Sequence, residues 1–135
     1  MLVLRLQILA RPLAVCRLNN GEPIPSWATE GDFFSVTRTD DELSIVCDQM
    51  LVPTEIRAEH GWRVLRIAGK FEFTVVGVLA SLVRPLAESG IPVFAISTFD
   101  TDYLLVKDHD LARSIDALKN SGHRIEPSEE HGSVL

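Results

Sequence analysis

The sequence predicts an α+β protein made of two copies of one small unit, each an antiparallel sheet with helices on one face. The first observation is that apolar and acidic residues recur 60 positions apart, so that Phe34 aligns with Phe94 and Ile45 with Leu105. Such self-similarity through strand, turn and strand indicates a duplicated unit. The second observation is that the second copy shows strand and helix patterns in the order βαββαβ, which is the ferredoxin-like arrangement.

The second copy, residues 61–127, shows the complete set of elements. Apolar residues recur at helical spacing from Val75 to Leu86, with Thr74 as the predicted N-cap. Pro85 lies inside this pattern and predicts a kink or an early end of the helix. Asp108 is the predicted cap of a second helix. The strands of this copy are expected at residues 62–68, 93–97, 103–106 and 123–126.

The first copy, residues 1–60, is the less complete one. Its helical content is expected to shrink to a single turn around Trp27, and Pro53 is expected to begin a short helix that carries Ile56. Either residues 62–68 or residues 3–9 could supply its closing strand. Its other strands are expected at residues 13–18, 33–38 and 43–47. Residues 128–135 are expected to form a frayed polar tail.

Composition excludes several classes of function. The chain has 13 basic and 19 acidic residues and a net charge of −6, without the basic stripe that nucleic-acid binding requires. The four histidines lack the spacing of a metal site, so neither metal nor cofactor is expected. No apolar segment reaches the roughly 20 residues of a membrane span, and we expect a cytoplasmic protein without a membrane partner. Cys16 and Cys47 fit two buried thiols, or a disulfide if their strands are neighbours.

Three segments carry a resemblance to a known family: FFSVTRTDDELSIVC in the first copy, and TVVGVLASL and ISTFDTDYLLVK in the second. Together they resemble the small bacterial proteins made of two ACT domains, over residues 13–127. These proteins are similar to the ACT domains of aspartate kinases and to Castor-type arginine sensors. The resemblance implies a regulatory module that binds an amino acid at an interface between paired domains.

The resemblance also implies where the ligand would bind. Amides at the start of the first helix would hold the ligand carboxylate, and Asp102, Asp100 or Glu72 would hold an ammonium or basic group. Asp40–Glu42 in the first copy are either a solvated turn or a second site. The implied ligand-binding residues are Gly69, Lys70, Glu72, Phe73, Thr74, Val75, Val76 and Gly77 in the loop and helix start, and Thr98, Phe99, Thr101 and Asp102 in the hairpin.

Other functions receive less support from the residues. We expect no enzyme, because the sequence shows neither a nucleophile with its base nor a phosphate-binding loop. The remaining enzymatic alternative is a magnesium site built from Asp100, Asp102 and Glu72. The main alternative is a structural module that forms a homodimer without a ligand. A homodimer is expected in either case, because small antiparallel sheets leave edges that a partner can cover.

Overall fold

A computed structural model of the chain describes residues 2–68 and 76–126. These residues fall into two compact units. The first unit is Arg11–Trp62, and the second unit comprises the described residues of 2–10 and 63–126. The resemblance to ACT domains predicted ferredoxin-like α+β units, and the α+β class is confirmed.

Ten regular elements carry the labels used below. The strands are β1 (Arg5–Ile8), β2 (Leu13–Leu18), β3 (Phe34–Arg38), β4 (Leu43–Asp48), β5 (Ala58–Ile67), β6 (Phe94–Ser97), β7 (Asp102–Lys107) and β8 (Arg124–Glu126), and the helices are α1 (Val78–Glu88) and α2 (Leu111–Asn120). Short 3-10 turns lie at Ser26–Thr29, Gln49–Leu51 and Asp108–Asp110.

The first unit is a sheet in the order β3, β4, β2 and the first half of β5. One face of this sheet carries an apolar cluster of Ala14, Cys16, Leu43, Ile45 and Cys47. The predicted turn around Trp27 is the 3-10 turn Ser26–Thr29, whose fully buried Ala28 completes the cluster.

The helix predicted at Pro53 is wrong. The Ile56 amide donates to the Pro53 carbonyl at 3.2 Å, which closes a turn, and no helix follows in this part of the described chain. Proline fits the start of a turn as well as the start of a helix, so residue type alone did not separate the two.

The second unit is a sheet in the order β6, β7, the second half of β5, β1 and β8, with α1 and α2 on one face. The N-terminal strand β1 is antiparallel to β5 and parallel to β8. The sequence left two candidates for the closing strand of the first copy. The strand that pairs there is the first half of β5, because Leu13 pairs with Trp62 and Cys16 with Ala58. It overlaps the candidate at residues 62–68 only at Trp62. Residues 63–67 and β1 belong to the second unit, so neither candidate is right. The core of the second unit combines Leu4, Leu6, Leu65, Ile67, Leu82, Leu86, Leu104, Val106 and Leu118.

The two hairpins match at a spacing of 59 residues, and the predicted spacing of 60 is wrong for them. Val36 pairs with Ile45 in the first hairpin, and Ala95 pairs with Leu104 in the second. Each strand residue therefore corresponds to the one 59 positions later. Because side chains alternate between faces, a shift of one residue exchanges the buried and outward faces. Phe34 and Phe94 consequently do not occupy equivalent places.

Helix α1 begins later than the sequence predicted. Its N-cap is Gly77 at φ 84°, a left-handed conformation that glycine adopts without steric cost. Thr74, the predicted cap, lies outside the described residues. The amides of the first helical turn are those of Val78, Leu79 and Ala80, which corrects the predicted set of Val75, Val76 and Gly77.

Helix α2 is also not capped as predicted. Its N-cap position is Asp110, whose side chain makes no capping bond. Asp108 lies in the preceding 3-10 turn and pairs with Arg63 at 3.0 Å. Leu118 of this helix is fully buried in the core of the second unit.

Pro85 does not end α1, which continues to Glu88. A proline has no amide hydrogen, so the carbonyl of Ser81 lacks its usual helical donor. His123 takes this role, since its Nε2 lies 3.1 Å from the Ser81 carbonyl oxygen. Its Nδ1 accepts the Leu4 amide at 3.1 Å, so the two partners together assign the Nε2–H tautomer. His123 is only 5% exposed, immediately precedes β8, and links Leu4, the residue before β1, to α1.

This arrangement predicts energetic coupling between His123 and Pro85. His123→Ala leaves buried polar groups unpaired and should lower the free energy of unfolding by about 1 to 3 kcal/mol. In a Pro85→Ala background the restored amide can donate to Ser81, so the same substitution should cost measurably less. A double-mutant cycle in urea measures the difference. His109→Ala is the control and should stay within about 0.5 kcal/mol, because this histidine is exposed. Equal costs of His123→Ala in both backgrounds would contradict the assignment.

Candidate functional site

The turn of the second hairpin, residues 98–101, is closed by its own threonines. The Thr98 amide donates to the Thr101 carbonyl at 2.8 Å. The Thr98 hydroxyl donates to the same carbonyl at 3.0 Å and accepts the Thr101 amide at 3.3 Å. Phe99 at the tip is 79% exposed. The turn therefore holds an aromatic ring at the surface on a backbone that is fixed by short local bonds.

A side-chain hydrogen bond joins this turn to the end of β5. The Thr101 hydroxyl donates to the Ile67 carbonyl at 3.1 Å. Ile67 is the last residue of β5, and segment 69–75 begins two residues later. The hairpin turn thus lies at the point where the chain leaves the sheet towards α1.

The other end of segment 69–75 is the start of α1. The first helical bond runs from the Ser81 amide to the Gly77 carbonyl at 2.9 Å, and Gly77 at the N-cap has no side chain that could cap the helix. The amides of Val78–Ala80 precede that bond and form the positive end of the helix dipole, which favours a carboxylate. Val76, immediately before the cap, is 86% exposed.

Half of the predicted ligand-binding residues lie in the described part of the chain. Asp102 is the first residue of β7 and pairs with Ser97, so it is a half-buried strand residue rather than an exposed turn residue. The described members are Val76, Gly77, Thr98, Phe99, Thr101 and Asp102. The others, Gly69, Lys70, Glu72, Phe73, Thr74 and Val75, lie outside the described residues.

Sequence reasoning missed the contribution of Ile67. Its backbone carbonyl anchors the hairpin turn, and a carbonyl leaves no trace in residue type. The only available signal was Thr101, whose hydroxyl could bond to a neighbouring segment as well as to its own turn.

The turn of the first hairpin uses the same chemistry. The Thr39 amide donates to the Glu42 carbonyl at 2.9 Å, and the Thr39 hydroxyl accepts the amides of Asp41 and Glu42. The Arg17 guanidinium donates to the Asp41 carbonyl at 2.9 Å. The side chains of Asp40 and Asp41 are exposed, whereas Glu42 is half-buried.

The two cysteines lie on neighbouring strands of the first unit. Ala14 pairs with Cys47 and Cys16 with Ile45, so both thiols point into the same apolar cluster. Both are buried free thiols. Their mutual hydrogen bond, together with burial, raises the pKa of Cys16, and the same bond lowers the pKa of Cys47. The interpretation as two buried thiols agrees with this geometry.

Two further features concern the described residues alone. No group of three or more His, Cys, Asp or Glu side chains is placed there to hold a metal ion. No helix in residues 2–68 and 76–126 is long and apolar enough to cross a membrane.

Comparison with family models divides the chain in two. The model of the ACT domain matches residues 57–120. A model described as an N-terminal domain matches residues 12–55.

Individual relatives extend this result. A crystal structure of an Agrobacterium tumefaciens protein has 42% identity and a TM-score of 0.90, and the match covers 94% of this chain and 95% of that one. The human protein named cytosolic arginine sensor for mTORC1 subunit 1 is 32% identical over 97 residues, or 64% of this chain. The chain spans only 30% of that sensor's length.

Solved regulatory domains of aspartate kinases share the fold. The ligand-free regulatory subunit of the Thermus thermophilus enzyme has a TM-score of 0.59 at 9% identity, over 84% of this chain and 94% of that one. At this identity the likeness concerns the fold alone. The family model therefore identifies residues 57–120 as an ACT domain, and the aspartate kinase regulatory subunit shares the fold.

Proposed function

We propose that this protein is a non-catalytic regulatory or sensor protein that binds an amino acid in its second unit. The ligand lies between the start of α1 and the hairpin turn 98–101. The observation that carries the proposal is the hydrogen bond from Thr101 to the Ile67 carbonyl, which holds the turn beside the end of β5. The amides of Val78–Ala80, which precede the first helical bond, support it, because a ligand carboxylate can accept from them.

The charges favour an amino acid with a basic side chain. Asp102 at the start of β7, together with Asp100 or Glu72, offers carboxylates to an ammonium or guanidinium group. The net charge of −6 disfavours anionic ligands at long range. Arginine and lysine are therefore the first candidates.

The relatives support the class of function. The human relative is named an arginine sensor, and this chain covers 30% of the length of that protein. The structural relatives include regulatory parts of aspartate kinases rather than their catalytic domains. A regulatory role without catalysis follows as the simplest proposal, with a cytoplasmic location and neither nucleic acid nor membrane as partner.

The first prediction of this proposal concerns thermal stability. An amino acid that binds only the folded protein should stabilise it by about 2.7 kcal/mol at 100 times its Kd. For a chain of this length that corresponds to a rise in Tm of roughly ten degrees. Each of the twenty amino acids is added singly and unfolding is followed by differential scanning fluorimetry. Arginine or lysine is expected to give the largest shift.

Matched aspartate variants locate the ligand in that assay. Asp102→Ala should reduce the shift, whereas Asp40→Ala, an exposed residue of the other hairpin, should leave it unchanged. An absence of any shift with all twenty amino acids would favour the ligand-free structural homodimer. An undiminished shift in Asp102→Ala would place the ligand elsewhere.

We also propose a homodimer. Within the described first unit, β3 ends the strand order, and Phe34 at its start is 44% exposed. An edge strand with an exposed aromatic residue favours pairing with a second chain. Light scattering at micromolar concentration should give twice the chain mass of 15.0 kDa. A mass of a single chain would contradict the dimer and leave the ligand proposal intact.

A further inference from the structure

We propose that the first unit carries a second binding site, for a small molecule that has both a carboxylate and an ammonium group. The site is a groove of about 250 Å³ lined by Val15, Arg17, Glu42, Ser44, Arg57 and Glu59. It lies within Arg11–Trp62 and shares no residue with the candidate site near α1. The inference therefore stands independently of the proposed function.

The groove lies on the sheet face opposite the core of the first unit. Cys16 and Ile45 point into the core cluster. Their strand neighbours Arg17 and Ser44 pair across β2 and β4 and point the other way, because successive strand residues alternate between faces. Arg17 and Ser44 thus form one wall of an outward-facing groove.

A bulge in β5 brings the remaining charges to this face. Leu13 pairs with Trp62 and Val15 with Glu59, so three steps along β5 oppose two steps along β2. The extra residue changes the alternation, which places Glu59 on the same face as Val15. Gly61 has a φ of 81°, the left-handed conformation that such a bulge favours in glycine. The Gly61 amide donates to the Gln49 side chain at 2.8 Å.

The groove combines both signs of charge. The Arg17 guanidinium is held by its bond to the Asp41 carbonyl at 2.9 Å. The side chains of Arg57 and Glu42 make no hydrogen bond or ion pair within residues 2–68 and 76–126, so each can bind a ligand. A guanidinium binds a carboxylate through two parallel hydrogen bonds, and a carboxylate accepts from an ammonium group.

This pattern of charge selects the class of ligand. A simple anion is attracted by Arg17 and Arg57 but repelled by Glu42. A simple cation experiences the reverse. A molecule with a carboxylate and an ammonium group satisfies both the arginines and Glu42, and the half-buried Val15 in the lining offers a small apolar surface.

The test is a titration of the full chain followed by ¹H–¹⁵N correlation spectra. The probes are the twenty amino acids added singly. The controls are propionate, which carries only the carboxylate, and ethylamine, which carries only the ammonium group. At least one amino acid should shift the amides of Val15, Arg17, Ser44 and Ala58, and both controls should shift them less. Amides of Val78–Ala80 and of residues 98–102 report the other site separately, so that failure at one site is distinguished from failure at the other.

Substitutions decide whether the groove itself binds. Arg57→Ala should raise the Kd of the amino acid, measured from the shifts of the groove amides, about tenfold. This is the loss expected for one charged hydrogen-bonding partner. Arg66→Ala is the matched control, because Arg66 is likewise an exposed arginine but lies within β5 and does not line the groove, whereas Arg57 immediately precedes β5. Glu42→Gln keeps the side-chain shape but removes the negative charge. It should weaken the binding of amino acids and strengthen the binding of propionate. The inference is overturned if no amino acid shifts the groove amides, if propionate acts as strongly as the amino acids, or if neither groove variant changes the response.

Discussion

Both units depend on strand β5, whose first half belongs to the first unit and whose second half belongs to the second. An interior strand needs partners for its backbone groups on both edges. Its second half has them in β1 and β7, and its first half pairs with β2. The bulge at Gly61 lies within this strand, and any other L-residue would be strained at its φ of 81°. One glycine therefore sets which way the side chains of Arg57 and Glu59 point.

The candidate ligand site depends on bonds that satisfy backbone groups. Thr101 bonds to the carbonyl of Ile67, and Thr98 closes the turn that carries Phe99. His123 donates a hydrogen bond to the Ser81 carbonyl of α1, which Pro85 cannot do because it has no amide hydrogen. The helix continues past this proline to Glu88. Each of these polar side chains compensates for a break in regular backbone pairing. The helix start and the hairpin turn are thereby held on the same unit, as a shared ligand requires.

Much of the fold followed from the sequence, because alternation and helical spacing are strong signals. Strand β2 occupies the predicted residues 13–18, and α1 buries the predicted Leu82 and Leu86. The predicted spacing of the hairpins was wrong by one residue. Strands β4 and β7 each carry consecutive buried apolar residues, such as Ile45 and Val46 in β4, and such runs fit either register. The start of α1 and the persistence of the helix past Pro85 depend on local backbone conformation and on a distant histidine. No pattern within the helix itself encodes them.

Hydrogen exchange of the native protein, measured with and without arginine, tests whether an amino acid binds at the start of α1. A carboxylate bound at the start of α1 accepts from the amides of Val78–Ala80, which are otherwise without a helical acceptor. Slower exchange is expected at these amides and in residues 98–102 when arginine is present. The turn at residues 39–42, beside the groove of the first unit, reports binding there separately. Unchanged exchange at Val78–Ala80 in the presence of saturating arginine would contradict binding at the start of α1.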